Sequence, residues 1–117
     1  MDKKYIGTIV EESLKDNLII NDLKILSVRI SRDDNPADRW HMYQVEMTEE
    51  QIEKMAEVIK ENGWYMHFWD SEKNIIAVFS HRIFRFNFDD KTSWTQAVEY
   101  GLSIGIPKEQ LDFLIES

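Results

Sequence analysis

The chain has the length of one domain, 117 residues, and its 43% hydrophobic and 31% charged residues supply both a core and a solvated surface. A net charge of −8 repels nucleic-acid backbones and anionic membranes, and the absence of cysteine excludes disulfides, thiolate metal sites and cysteine nucleophiles. No apolar run approaches a membrane span or a secretory leader, so residues 1–117 are expected to form a single cytoplasmic domain without nucleic-acid or membrane partners.

The first 25 residues carry the weakest pattern. Tyr5, Ile6, Ile9 and Val10 are apolar enough to dock on a core, and Asp16–Asn21 reads as a short helix or a turn. From Leu26 the pattern sharpens: Leu26, Val28 and Ile30 alternate with Ser27, Arg29 and Ser31, the period of a strand with one buried face. After the polar loop 31–39, His41, Tyr43, Val45 and Met47 alternate with Met42, Gln44 and Glu46, which predicts a hairpin or two neighbouring strands.

Thr48 and Gln51 have capping-box spacing and open a helix. Ile52, Met55, Ala56 and Ile59 form its apolar stripe, Lys60 falls in its last turn, and Asn62-Gly63 is its stop. Three strands are predicted next, over Trp64–Trp69, Ile75–Phe79 and Ile83–Phe88, with connections short enough for an antiparallel meander. A second helix is expected to start near Thr92 or Ser93, to present Trp94, Ala97, Val98 and Leu102, and to weaken at Gly101 and Gly105. Pro107 then suits the first position of a short final helix. The expected fold is α+β: an antiparallel or mixed sheet of about five strands in two layers, with two main helices and a short C-terminal one. Helices on one side leave the other sheet face to solvent, to the N-terminal segment or to a second subunit.

No complete catalytic motif is present. The glycines, at 7, 63, 101 and 105, cannot form a phosphate-cradling loop, no serine sits in a Gly-x-Ser-x-Gly turn, and the stretch 97–114 has too few cations for a DNA-reading helix pair. The neighbouring carboxylates Glu11-Glu12 and Asp89-Asp90 point to opposite strand faces or lead into a helix, so both read as structural. His41, His67 and His81 lack helical metal spacing; His41 and His67 with Glu46, Asp70 or Glu11-Glu12 would be the one mixed metal site, and a structural histidine is the simpler reading. No metal ligand, cofactor or catalytic residue is assigned.

The most unusual segment is Trp64-Tyr65-Met66-His67-Phe68-Trp69, large on both strand faces. A central strand covered on both sides explains it; a ligand groove or an interface is the functional alternative, with Trp40, His41, Trp64, His67 and Trp69 as the candidate ligand-binding residues.

Gly7-Thr8-Ile9-Val10-Glu11-Glu12-Ser13-Leu14 and Tyr100-Gly101-Leu102-Ser103-Ile104-Gly105-Ile106-Pro107, with Trp40-His41 and Trp64-Tyr65 between them, resemble a family of small uncharacterised prokaryotic proteins. The resemblance implies one compact domain and no activity, cofactor or catalytic residue. The leading expectation is therefore a non-enzymatic binding or interaction domain that takes a protein partner or associates with itself through an aromatic-rich sheet. The alternative is a small enzyme or ligand-binding protein whose pocket unites His41 and His67 with carboxylates and tryptophans.

Overall fold

A computed structural model describes residues 3–61 and 63–115. The fold is α+β. Strands β1 (Lys4–Val10), β2 (Lys24–Ile30), β3 (His41–Thr48), β4 (Met66–Trp69), β5 (Asn74–Phe79) and β6 (Arg82–Asn87) form one six-stranded sheet in the order β2-β3-β1-β4-β5-β6. Every pairing is antiparallel. The strand absent from the sequence-based expectation is β1, and it is a central one. Its neighbours are β3, along its whole length, and β4, with Ile6 opposite Trp69 and Gly7 opposite Phe68. Gly7 is needed at this junction, because a Cβ there would lie 2.4 Å from the His67 carbonyl oxygen and 2.4 Å from the Phe68 ring.

Helix α1 (Glu49–Val58) begins as its sequence requires: Thr48 Oγ1 accepts from the Gln51 amide, and the Thr48 amide donates to the Gln51 side chain. It ends at Val58, so Ile59 and Lys60 lie beyond it. Ile59 bridges to Leu14, and the Lys60 amide donates to the Ser13 carbonyl at 2.7 Å. Of the predicted Asn62-Gly63 stop, Asn62 lies outside the described residues, while Gly63 takes a φ of +88°. The stripe Ile52, Met55 and Ala56 packs with Tyr5, Ile9, Val45, Met47, Phe68, Ile76 and Val78, which makes the first core.

Register places the odd-numbered residues of β1 and β3 on this α1 side and the even-numbered ones on the other. In β4 and β5 the alternate residues Trp69, Ile75, Ala77 and Phe79 face away from α1 and join a second core with Phe86, Trp94, Ala97, Ile106, Leu111 and Phe113. Helices thus cover both faces of the sheet, where one helical face was expected. The second cover is built by a 3-10 turn (Lys91–Trp94), by α2 (Thr95–Ser103), and by the segment after it. The turn starts at Asp90, whose carboxylate accepts from the Thr92 amide. Within α2 the packed face includes Gly101, which lets Leu111 approach, whereas Leu102 is exposed. Gly105, at φ +92°, ends the helix while the Ile106 amide reaches back to the Gly101 carbonyl at 3.0 Å. The expected final helix is only a 3-10 turn, Lys108–Gln110.

No helix among the described residues is long and apolar enough to cross a membrane.

Candidate functional site

The second cover spans β4, β5 and β6 and stops there. Among the described residues no helix lies over the same sheet face on β1, β3 and β2, and Ile6, Thr8, Val10, Met42 and Gln44 remain half-buried. Between this open area and the edge of the C-terminal segment lies a groove of about 720 Å³.

Its floor is a cross-strand row, Arg29 opposite Met42 opposite Val10, beside Thr8. Trp40 stands at one end. It follows the loop 31–39 and is fixed by the base of the hairpin: its carbonyl accepts from the Ser31 amide at 3.0 Å, and its own amide donates to Ser31 Oγ at 2.7 Å. The loop is braced by Asn35, whose side chain accepts from the Ala37 amide, and by Arg39, which donates to the Asp33 carbonyl. Trp64, on the connection from α1 to β4, brings its ring centre to 5.3 Å from that of Trp40, with the planes tilted by 56°.

The opposite wall is β4 with the segment after α2 laid over it as a strap. His67 lies between Tyr65 and Trp69, at 6.1 Å and 5.5 Å, with Phe113 edge-on at 5.8 Å. His67 Nε2 is 2.7 Å from the Leu114 carbonyl; a carbonyl oxygen can only accept, so this nitrogen carries the proton. The Tyr65 hydroxyl donates to the Gln110 carbonyl. Burial, and then the charge of Asp112, push the Tyr65 hydroxyl well above the usual tyrosine range, so it remains a neutral donor. Glu109, Asp112 and Leu114 complete this wall.

Of the sequence candidates, Trp40, Trp64, His67 and Trp69 therefore line one groove. His41 does not. By register it belongs to the α1 side of β3, and it is bound to Glu12: its amide donates to Oε1 at 2.9 Å, and Nδ1 lies 2.7 Å from Oε2. The hydrogen bond that the ring donates to Glu12, ahead of the opposing desolvation, raises the His41 pKa. Burial pushes Glu12 upward, but bonds from the His41 ring and backbone outweigh it and leave its carboxyl lowered. The expectation that His41 and His67 share a pocket is thereby corrected: alternation along antiparallel strands sends them to opposite faces.

Glu11, expected to be structural, and Asp70, a candidate for the mixed metal site, both have partners that account for them. Glu11 accepts from the Tyr43 hydroxyl at 2.7 Å and from Asn17 at 3.1 Å. Asp70 organises the β4–β5 turn by accepting from the amides of Glu72 and Asn74, both at 2.9 Å, with Lys3 at 3.3 Å. Burial of Asp70 would raise its pKa; these bonds, led by those from Asn74, lower it. Among the described residues no group of three or more histidine, aspartate or glutamate side chains is arranged to hold a metal ion.

Sequence reasoning missed Arg29, Met42 and the wall Glu109–Leu114. Period-2 alternation marked Arg29 and Met42 as outward-facing, but only the strand order shows that both lie over the same hollow.

Compared with protein-family models, with curated proteins and with solved structures, the chain matches none.

Proposed function

We propose that the chain is a non-enzymatic binding domain whose groove accepts a flat, largely apolar group carried by a ligand or a partner protein. One observation carries this reading: Trp40, Trp64, His67 and Trp69, drawn from two separate stretches of sequence, border a single hollow on the half of the sheet that has no helical cover. Indole faces give large contact area at low conformational cost, and Arg29 beside them favours a group with a negative charge at one end. The placement of His41 and His67 on opposite faces counts against the alternative, a small enzyme or ligand-binding protein whose pocket unites the two histidines.

The reading includes a cytoplasmic domain, supported by the cysteine-free composition, and excludes nucleic acid as the ligand, supported by the net charge of −8.

The test is titration with 1-anilinonaphthalene-8-sulfonate, a flat apolar probe with one anionic group, followed by energy transfer from tryptophan. Saturable binding is expected, weakened about tenfold in Trp40→Ala and Trp64→Ala proteins that remain folded. Binding equal in wild type and both variants would overturn the assignment. Light scattering at the titration concentrations separates ligand binding from self-association of this face.

A further inference from the structure

The two edges of the sheet are finished differently. At β6, the Asn87 amide donates to Ser93 Oγ at 3.1 Å, and the Asn87 carbonyl accepts from the Trp94 indole at 2.9 Å. Arg85 is tied to Glu49 and Glu53, and Arg82 lies over the rings of Phe84 and Tyr100. Strand β2, by contrast, is hydrogen-bonded to β3 alone among the described strands, and all seven of its residues are exposed. Ile25, Leu26, Val28 and Ile30 are all on this strand, while the other exposed large hydrophobics, Leu18, Trp40, Leu102 and Leu114, are spread over the rest of the described chain.

A long edge strand with a free backbone ladder invites another strand, and proteins usually guard such edges with proline, outward lysine or a bulge. Here the guards are few. There is no proline, the register shifts between Ile25 and Ser27, and Lys24 is held to Glu46 at 3.0 Å. What remains is a regular stretch, Ser27 to Ile30. Its pairing with β3 puts Val28 and Ile30 on the α1 side and Ser27 and Arg29 on the groove side. Arg29 has no ion pair among the described residues, on a strand whose only charges are positive in a chain of net −8.

We infer that β2 receives an extended segment of a partner protein as a seventh strand, one that alternates apolar with acidic residues. The apolar side chains lie beside Val28 and Ile30 on one face, and a carboxylate meets Arg29 on the other. Main-chain bonds to the free ladder supply affinity, and the alternating side chains supply selectivity. A second copy fits less well. Two-fold pairing about Val28 sets each Arg29 opposite a Ser27, leaves both guanidinium groups unmatched, and brings together two chains of net −8. The inference goes beyond the groove reading and shares only Arg29 with it, so the position of the amide shifts, at residues 24–30 or at the groove walls, tells the two apart.

The probes are two capped peptides of the length of β2, one alternating valine with glutamate and one alternating valine with lysine, titrated into isotopically labelled protein. With the glutamate peptide, amide shifts concentrated at residues 24–30 are expected, with binding at least about tenfold tighter than for the lysine peptide at low salt. Arg29→Glu, an exposed substitution compatible with folding, should invert that preference. Equal binding of the two peptides overturns the acidic partner. Shifts confined to the groove walls overturn the edge site. A dimer by light scattering with residues 24–30 protected from amide exchange assigns the edge to a second copy and overturns the inference.

Discussion

Strands β4, β5 and β6 carry packed side chains on both faces, whereas β3 and β1 carry them mainly on the α1 side, with Ile6 at the margin of the second core, and β2 is exposed throughout. The difference follows from the chain's order. Helix α1 follows β3 directly and lies across the first face, but α2 and the residues after it come last and begin from β6, at the far edge. They extend back only as far as β4. The closed half holds the tightest aromatic packing, with Phe113 within 6 Å of Tyr65, His67, Phe86 and Trp94. The open half holds the groove and the unguarded edge. Stability and recognition are thus concentrated in different strands of one sheet.

The sharpest way to break this comparison is to truncate one aromatic in each half. Phe113→Ala removes a fully buried ring from the closed half and should cost about 3–5 kcal/mol, while Trp40→Ala in the open half should cost less than about 1 kcal/mol. Urea unfolding of both variants checks it; similar losses would mean that the halves are not energetically distinct. Next comes the seam. Gly7→Ala forces a methyl group against the β4 backbone and should destabilise by about 1–3 kcal/mol, with amide exchange in β1 and β4 accelerating more than in β6. Uniform acceleration would show that the seam is not a separate weak point. A smaller effect is expected at Arg85, whose bonds to Glu49 and Glu53 are half-exposed: Arg85→Ala should cost about 0.5–1 kcal/mol, shrinking in high salt.

The smallest effect concerns pH. The His41 pKa is raised above its ordinary 6.5, so its contribution to stability is full below 6.5 and fades as pH rises through the raised value. Glu12 is lowered from 4.5, so its contribution is full above 4.5 and fades as pH falls through the lowered value. The pair therefore stabilises most between pH 4.5 and 6.5. An NMR titration should place the His41 ring above 6.5 in the wild type and closer to it in Glu12→Gln; an unchanged midpoint would remove Glu12 as the cause.

What could be read from the sequence was whatever has a short period. The capping box at Thr48 and Gln51 and strands β3, β5 and β6 stand where alternation and capping chemistry put them. Strand β2 is also a strand, but the buried face expected of Leu26, Val28 and Ile30 is exposed, because an edge strand beyond the reach of α1 has no layer packed on it, and β4 begins at Met66 rather than Trp64. Strand β1 escaped because neither of its faces is polar: Tyr5, Gly7 and Ile9 face one core, while Ile6, Thr8 and Val10 border the other side. A strand without a polar face is a central strand, and that was the available signal. The cover over β4 to β6 escaped for another reason. Ile106, Leu111 and Phe113 have no helical or strand spacing, and Phe113 itself sits at φ +44°, so no periodic pattern announces them. Aromatic content alone pointed to Trp40, Trp64, His67 and Trp69. Their convergence, and the departure of His41, are matters of register, which one chain's composition does not encode.

The strap has a consequence for how the molecule comes into being. His67 and Leu114 are 47 positions apart, and Tyr65 and Gln110 are 45 apart, so the second core cannot shut until the whole sheet has been synthesised. Until then Trp69, Phe86 and Trp94, all buried in the finished core, are expected to be exposed. Newly made chains are therefore expected to be most aggregation-prone just before residue 113 becomes available, and the contacts that close last shield β4 to β6, the strands made last.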